Sequence, residues 1–491
     1  MTTSAWRGAP RALGAAAAFL ALAGAPALAQ DAGGDAAEER CAALRDVVLD
    51  AAHVTSARVI AQGETLPAYC GVRVTARPAV SIEVRLPLEG WNGKLYQTGC
   101  GGFCGILGRA DAGGGFINAM GPGLARGYAT ATSDSGHHGL SILDASWAAS
   151  NPQAERDWGW RSVGETNRVA NTLVEAFYEE PTERDYFQGC STGGRMANRA
   201  ALTYPDMFDG IISGAPALDY TGLVATKFSW LAQANTAADG SQILTPAKVP
   251  LVAETVMAQC DATDGAEDGV IADPRACSVD YAAVACEAGA EGADCLTEAE
   301  REVLAQWRQG PVNAAGEQLY PGGVPEGSEP FWALWLTGRE GGGAGLLPGF
   351  VDNFGAWMAF PEDPGTSWTA ADFDFEEDPA RLATMAAVYN ADDPDLSAFR
   401  EAGGRMIVWH GWADPLVTPY KTVDWYEKAA AAAGGEETLE ENVRLFMIPG
   451  MDHCGLQPGP DGISQASLDL ITALERWVEE GEAPTTVLAD E

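Results

Sequence analysis

The hexapeptide Gly189-Cys190-Ser191-Thr192-Gly193-Gly194 fits the pattern G-x-S-x-G. That pattern serves one chemistry: a serine hydroxyl on a sharp strand-to-helix turn, presented for attack on a carbonyl carbon. Glycines are required because bulky neighbours would clash around a turn of strained backbone angles. A helix beginning after Ser191 would bring its positive end to the reaction centre, and the Thr192 N–H would bind a developing oxyanion.

A serine nucleophile needs a base. The five histidines are His53, His137, His138, His410 and His453. His53 is expected before the sheet, and His137 and His138 precede Ser191. In an α/β-hydrolase the chain order is serine, acid, histidine. That leaves His410-Gly411-Trp412-Ala413-Asp414-Pro415 and Pro449-Gly450-Met451-Asp452-His453-Cys454, each expected just past a strand end. Ser191, Asp414 and His453 are therefore read as the catalytic triad, with Asp452 as the rival acid. His410 is expected to line the substrate pocket.

Cys190 precedes the serine and Cys454 follows the histidine. The chain opens with Arg7 and Arg11, an apolar run over Leu13–Leu22 and Ala27-Leu28-Ala29, the outline of a signal peptide cleaved after Ala29. Export to an oxidising compartment, periplasmic or extracellular, makes disulfides the default for ten cysteines. A Cys190–Cys454 bond would tie the serine turn to the histidine loop. The net charge of -39 excludes nucleic acid and anionic membrane as partners; the oligomeric state is left open.

The elements that must carry these residues follow an α/β rhythm. An Ala/Gly/Asp linker is expected to about Glu39, then strands at Ser81–Leu88, Lys94–Thr98 and Tyr128–Ser133 and a helix at Thr166–Tyr178. A strand at Asp185–Gly189 leads into the serine turn, a helix through Arg195–Leu202 and a strand at Phe208–Ser213. The rhythm breaks over about 180 residues rich in Gly, Pro and acids. It resumes with a strand at Arg405–Trp409, a helix at Pro419–Ala433, a strand at Val443–Ile448 and a helix at Gln465–Glu480. Alternating strand and helix predict a parallel sheet with right-handed crossovers, split by one insertion.

Cys-Ser at the turn, a late Asp and His-Cys near the end resemble the tannase and feruloyl esterase family, which includes mono(2-hydroxyethyl) terephthalate hydrolases. The likeness runs from Cys41 to the final helix. Trp91-Asn92-Gly93-Lys94 is similar to the family's entry to its oxyanion loop, here Gly99-Cys100-Gly101-Gly102-Phe103-Cys104-Gly105. The resemblance implies that Gly101 or Gly102 joins Thr192 in the oxyanion hole. Cys100 and Cys104 depart from the family pattern and are expected to close a small local disulfide. Ser133-Asp134-Ser135-Gly136-His137 resembles a structural segment of the family.

The resemblance further implies an α/β-hydrolase fold (residues 30–218 and 400–491) with a large inserted lid domain (219–399). Cys260-Asp261-Ala262-Thr263-Asp264-Gly265-Ala266-Glu267-Asp268-Gly269-Val270 resembles the lid's metal loop. It implies a structural calcium ion on the Asp261, Asp264 and Asp268 side chains and the Ala266 and Val270 carbonyls. Cys260–Cys277 would clamp this loop, and the remaining pairs would be Cys41–Cys70 and Cys286–Cys295.

The activity implied is hydrolysis of aromatic-acid esters, with feruloyl, gallate or related phenolic esters as first choice. Phe331, Trp332, Trp335, Phe350, Phe354, Trp357, Phe360 and Trp368 are expected mostly to build the lid core, some forming a slot for an acyl ring. Arg339 is the candidate partner for an anionic substrate, which would favour a terephthalate monoester. An acyltransferase, a serine peptidase and a non-catalytic calcium-dependent binding protein are the other readings.

Overall fold

The computed structural model describes residues 32–107, 119–139, 141–288 and 290–489. The expected signal peptide lies outside them. Among the described residues nine strands form one sheet: β1 (Ala52–Ile60), β2 (Tyr69–Ala76), β3 (Val80–Pro87), β4 (Lys94–Thr98), β5 (Ala129–Ser133), β6 (Arg184–Cys190), β7 (Gly210–Gly214), β8 (Arg405–Gly411) and β9 (Val443–Ile448). Their order is β1-β2-β3-β5-β4-β6-β7-β8-β9. β1, β2, β3 and β5 pair antiparallel, and β5 through β9 pair parallel.

The parallel half follows the expected strands closely, because each is a short apolar run closed by a turn. β1 and β2 were not anticipated. β1 lies at the sheet's edge, half-covered, and a register shift between Val54 and Ser56 breaks the alternation of its apolar residues Val54, Ala57, Val59 and Ile60. His53 accordingly sits within β1, not before the sheet. The expected N-terminal linker is instead a helix, Ala32–Ala43. Alanine favours it, and the Cys41–Cys70 disulfide pins it to β2. The last helix begins later than expected, at Leu470, where the Asp469 carboxylate caps the Thr472 amide.

The helix Ser162–Tyr178 packs its apolar stripe of Val169, Leu173 and Phe177 on one sheet face. The other face meets Leu470, Leu474 and Trp477 of the final helix. The insertion enters between β7 and β8. It does not build a separate core: Trp332, Phe350, Phe354 and Tyr389 belong to the same buried cluster as Phe103, Phe187 and Met196. All five expected disulfides are present.

Candidate active site

β6 ends at Cys190 and the chain turns at Ser191, with φ 62° and ψ -124°. Such a conformation is costly for a residue with a side chain and persists only where packing enforces it. Here the strand and the following helix, Thr192–Thr203, approach too closely for larger residues. A Cβ on Gly189 would run into the Gly193 backbone, and one on Gly194 into the Gly214 carbonyl. The Ser191 amide donates to the Gly214 carbonyl at 3.0 Å, which fixes the turn to β7. The helix starts three residues earlier than expected, so the first-turn amides, which have no partner inside a helix, lie at Ser191 itself.

The loop after β4 closes over this turn. The Thr192 hydroxyl donates to the Gly102 carbonyl at 2.8 Å. Gly102 has φ 57°, and a Cβ there would lie 2.5 Å from the Ile142 carbonyl oxygen. The Cys100–Cys104 disulfide braces the loop. Gly102 lines a cavity together with Ser191 and Thr192; Gly101 is not among its lining residues. Behind the loop, the Asp134 carboxylate accepts from the Ser81 and Gly136 amides, each at 2.9 Å, consistent with a structural segment.

Asp414 lies in the turn after β8 and is fully buried. The Leu416 and Val417 amides donate to its Oδ1, each at 2.9 Å. His453 Nδ1 lies 2.6 Å from its Oδ2, which leaves the imidazole's Nε2 for other chemistry. Burial pushes the Asp414 carboxyl upward, but the His453 charge and the hydrogen bonds from His410 and His453 outweigh it and hold the group well below the usual carboxylate range. Asp452, the rival acid, binds the Gln457 amide and side chain instead, and burial raises it to about 6. The Cys190–Cys454 disulfide holds the residues flanking Ser191 and His453 with their Cα atoms 6.1 Å apart. Trp335 meets the His453 ring edge-to-face at 5.1 Å.

His410 corrects an expectation. It does not line the cavity beside Ser191; it is fully buried behind Asp414. Its Nε2 faces two acceptors, Asp414 Oδ2 at 3.1 Å and the Val417 carbonyl at 2.8 Å, so that nitrogen carries the proton. Nδ1 meets the Thr422 hydroxyl at 2.8 Å. Two imidazoles thus share one carboxylate oxygen, a relation that needs the fold to be seen.

Lys227 was also missed. It is fully buried, donates from Nζ to the Leu416 carbonyl at 3.1 Å and lies within the field of Asp414. Burial lowers its ammonium to about 7, against the opposing pull of Asp414. The unfolded lysine holds its proton up to its ordinary value near 10.5, so between the two values the unfolded chain binds more protons and stability rises with pH. Accordingly, melting temperature should climb more steeply from pH 7 to pH 9 in wild type than in Lys227→Met. Parallel curves would disprove this origin.

The cavity at Ser191 is walled by Tyr220, Phe228, Phe350, Leu416 and Val417, and holds only about 20 Å³. That is room for about one water and not for an aromatic ring. Most of the expected lid aromatics are core: Phe331, Trp332, Trp335, Phe354 and Phe360 are buried. Arg339 is exposed on the wall of a separate cavity of about 760 Å³ between Leu231, Trp307, Leu336 and Val351, which does not include Ser191.

In the acidic loop, Asp261, Asp264 and Asp268 accept from the amides of Gly269, Ala266 and Val270 at 2.9, 2.9 and 3.1 Å. Gly265 and Gly269 turn the chain with φ of 97° and 80°. Among the described residues no group of three or more His, Cys, Asp or Glu side chains converges on a metal position. The donor set is oxygen only, which suits a hard cation, and backbone carbonyls would have to complete it.

A strand-turn-helix elbow on a mostly parallel sheet, with acid and histidine on the ends of later strands, makes this an α/β-hydrolase. The family model for tannase and feruloyl esterase matches residues 59–491. An uncharacterised esterase of Xanthomonas campestris is 35% identical, the match covering 92% of this chain and 84% of the relative. The mono(2-hydroxyethyl) terephthalate hydrolase of Piscinibacter sakaiensis is 30% identical over 92% of this chain and 85% of its own. The crystal structure of feruloyl esterase B from Aspergillus oryzae superposes with a TM-score of 0.78 at 25% identity, covering 92% of each chain. The chain belongs to the tannase and feruloyl esterase family, a family of ester hydrolases.

Proposed function

We propose that this protein is a secreted serine carboxylic ester hydrolase that cleaves aromatic-acid esters, feruloyl, gallate or related phenolic esters, through an acyl-enzyme on Ser191. The carrying observation is the Asp414–His453 pair fastened beside the strained serine by Cys190–Cys454. His453 Nε2 takes the Ser191 proton as Oγ attacks the ester carbonyl. Asp414 fixes the tautomer through Nδ1–H and stabilises the imidazolium. The Thr192 and Gly102 N–H groups receive the oxyanion. The C–O bond breaks, and the alcohol leaves with the proton from His453. Water, activated by the same imidazole, then releases the acid and restores Ser191.

The acyl choice is supported by the likeness to feruloyl esterase B and by the absence of a cationic side chain from the walls beside Ser191; those walls must move apart before a ring can enter. A free carboxylate on the ring would find no partner there. A panel of methyl ferulate, methyl gallate, a terephthalate monoester and p-nitrophenyl acetate tests this. Phenolic methyl esters should give the highest kcat/KM among the aromatic substrates. A preference for the terephthalate monoester would overturn the acyl assignment, and turnover confined to p-nitrophenyl acetate would overturn the aromatic class. Five disulfides support the secreted reading.

His410 is a positioning residue in this scheme. His410→Asn should lower kcat by about 10- to 100-fold with KM little changed, because Asp414 keeps the two amides on Oδ1 but loses the second imidazole on Oδ2, the oxygen that orients the base. It should also shift the acid limb of the pH–rate profile. A loss of melting temperature with an unchanged profile would mark His410 as merely structural.

The loop of Asp261, Asp264 and Asp268, with the Ala266 and Val270 carbonyls, is proposed to hold calcium in a structural role. Support comes from the all-oxygen donor set and from the Cys260–Cys277 bond that closes the loop. Chelation should lower the melting temperature and leave kcat of the folded enzyme unchanged. Immediate loss of rate with the fold intact would oppose a purely structural ion.

A further inference from the structure

The wall beside Ser191 contains one hydroxyl that the scheme above leaves unused. Among the described residues that line the cavity, only Ser191, Thr192 and Tyr220 carry a polar side chain; the others are glycine, alanine, leucine, valine and phenylalanine. The Thr192 hydroxyl is committed to the Gly102 carbonyl at 2.8 Å, and the Ser191 hydroxyl is the nucleophile. Among these residues Tyr220 therefore holds the one side-chain donor still available to a substrate oxygen.

The chain after β7 puts it there. The Ala217 amide donates to the Ser191 carbonyl at 3.3 Å, which draws this segment onto the elbow. Two residues on, the Asp219 carboxylate accepts from the Gly222 amide at 2.9 Å and from the Asn390 side chain at 2.7 Å. Tyr220, the next residue, opens a helical turn with its side chain on the cavity. Its hydroxyl lies beside the Thr192 side chain, that is, beside the residue whose amide belongs to the oxyanion hole. Because the Thr192 proton already goes to Gly102, the phenol is the donor toward Thr192.

The ring is fixed before any substrate arrives. Trp158, Phe354 and Phe103 meet it edge-on, with ring centres 4.9, 5.6 and 6.4 Å away. A donor held in advance needs no reorganisation when charge develops, which is what makes such a group effective in a transition state. Behind the ring stands Arg195, fully buried, its guanidinium 5.6 Å from the Tyr220 ring centre. Arg195 donates to the carbonyls of Gly159, Tyr389 and Trp158, and among the described residues it has no carboxylate partner. A cation in an interior of low dielectric favours negative charge nearby and strengthens the phenol as a donor. Burial raises the phenol to about 12, against the opposing pull of Thr192 and Arg195, so it keeps its proton throughout the neutral range.

We infer that the Tyr220 hydroxyl is a third donor of the oxyanion hole, joining the Thr192 and Gly102 amides as the ester carbonyl oxygen takes up charge. The inference deepens the serine hydrolase reading and rests on it. The phenol keeps its proton throughout: its hydrogen bond strengthens as the tetrahedral oxyanion forms and weakens when the carbonyl is restored. Tyr220→Phe tests this, because it keeps the ring and its contacts and removes only the oxygen. With the ester that wild type turns over fastest, kcat should fall about 10- to 100-fold, while KM stays within about twofold and the melting temperature holds. Inhibition by phenylboronic acid, which forms a tetrahedral anion on the nucleophile and places an oxygen in the same hole, should weaken by a similar factor. A residue that only walls the cavity would move KM or the melting temperature and leave boronate affinity alone. The inference is overturned if either kcat or boronate affinity of Tyr220→Phe matches wild type. Ser191→Ala separates the two failures. If it keeps wild-type turnover, the hydrolase reading falls and the third donor with it; if it is inactive while Tyr220→Phe matches wild type, the third donor falls alone.

Discussion

Ser191→Ala should reduce kcat for any ester substrate by about 10⁴- to 10⁶-fold, the span expected when the group that forms the covalent intermediate is removed. Folding should survive. Alanine removes only the hydroxyl, whereas the turn is held by the Ser191 amide on Gly214 and by the close approach of Gly189 to Gly193. Relief of side-chain strain at φ 62° should be small, since alanine meets the same steric conflict as serine. The Gly102 and Thr192 amides remain and should sustain a faint rate above that of water. Wild-type turnover in the purified variant, with contaminating esterase excluded by active-site titration, would remove the acyl-enzyme mechanism altogether.

The second large effect concerns Cys190–Cys454. The bond closes a loop with a sequence separation of 264, and chain-entropy reasoning assigns it about 5 kcal/mol of stability. The double variant Cys190→Ala/Cys454→Ala should therefore melt at a clearly lower temperature. At a temperature where it is still folded, kcat should drop a further ~100-fold, the consequence of about 1 Å of freedom between base and nucleophile. KM should change little, because the cavity walls belong to other segments such as Phe228, Phe350 and Leu416. If kcat of the folded variant equals wild type, the bond serves stability alone.

Much of the site can be read in the sequence because its chemistry constrains neighbours as well as the reacting atoms. Gly189 and Gly194 mark the elbow through the contacts a Cβ would make, and Asp414 and His453 stand just past strands whose apolar runs are unmistakable. What escaped notice depends on packing between distant segments. The same strand-end position leaves His410 facing either a pocket or a carboxylate, and only the turn that returns Asp414 beneath it decides. Lys227 looks like a surface lysine until the insertion that carries it packs against the turn of Asp414 and Leu416. β1 is half-covered, and the register shift between Val54 and Ser56 interrupts the alternation by which an edge strand is recognised. Gly102, whose carbonyl accepts from the Thr192 hydroxyl, lines the cavity with Ser191 and Gly101 does not, a difference that the run of glycines in the sequence hides.

The insertion and the sheet share one interior, in which Phe103 of the β4 loop stacks on Phe354 and meets Phe350 edge-on. Engineers who transplant specificity between homologous esterases by swapping this segment would be cutting through a jigsaw, not unplugging a cartridge. Chimeras with a junction between β7 and β8 should express as aggregates unless the contacting aromatics of the recipient travel with the graft. Retargeting is better sought through single replacements at Phe228 or Leu416, which change the wall and spare the Phe103 contacts with Phe350 and Phe354.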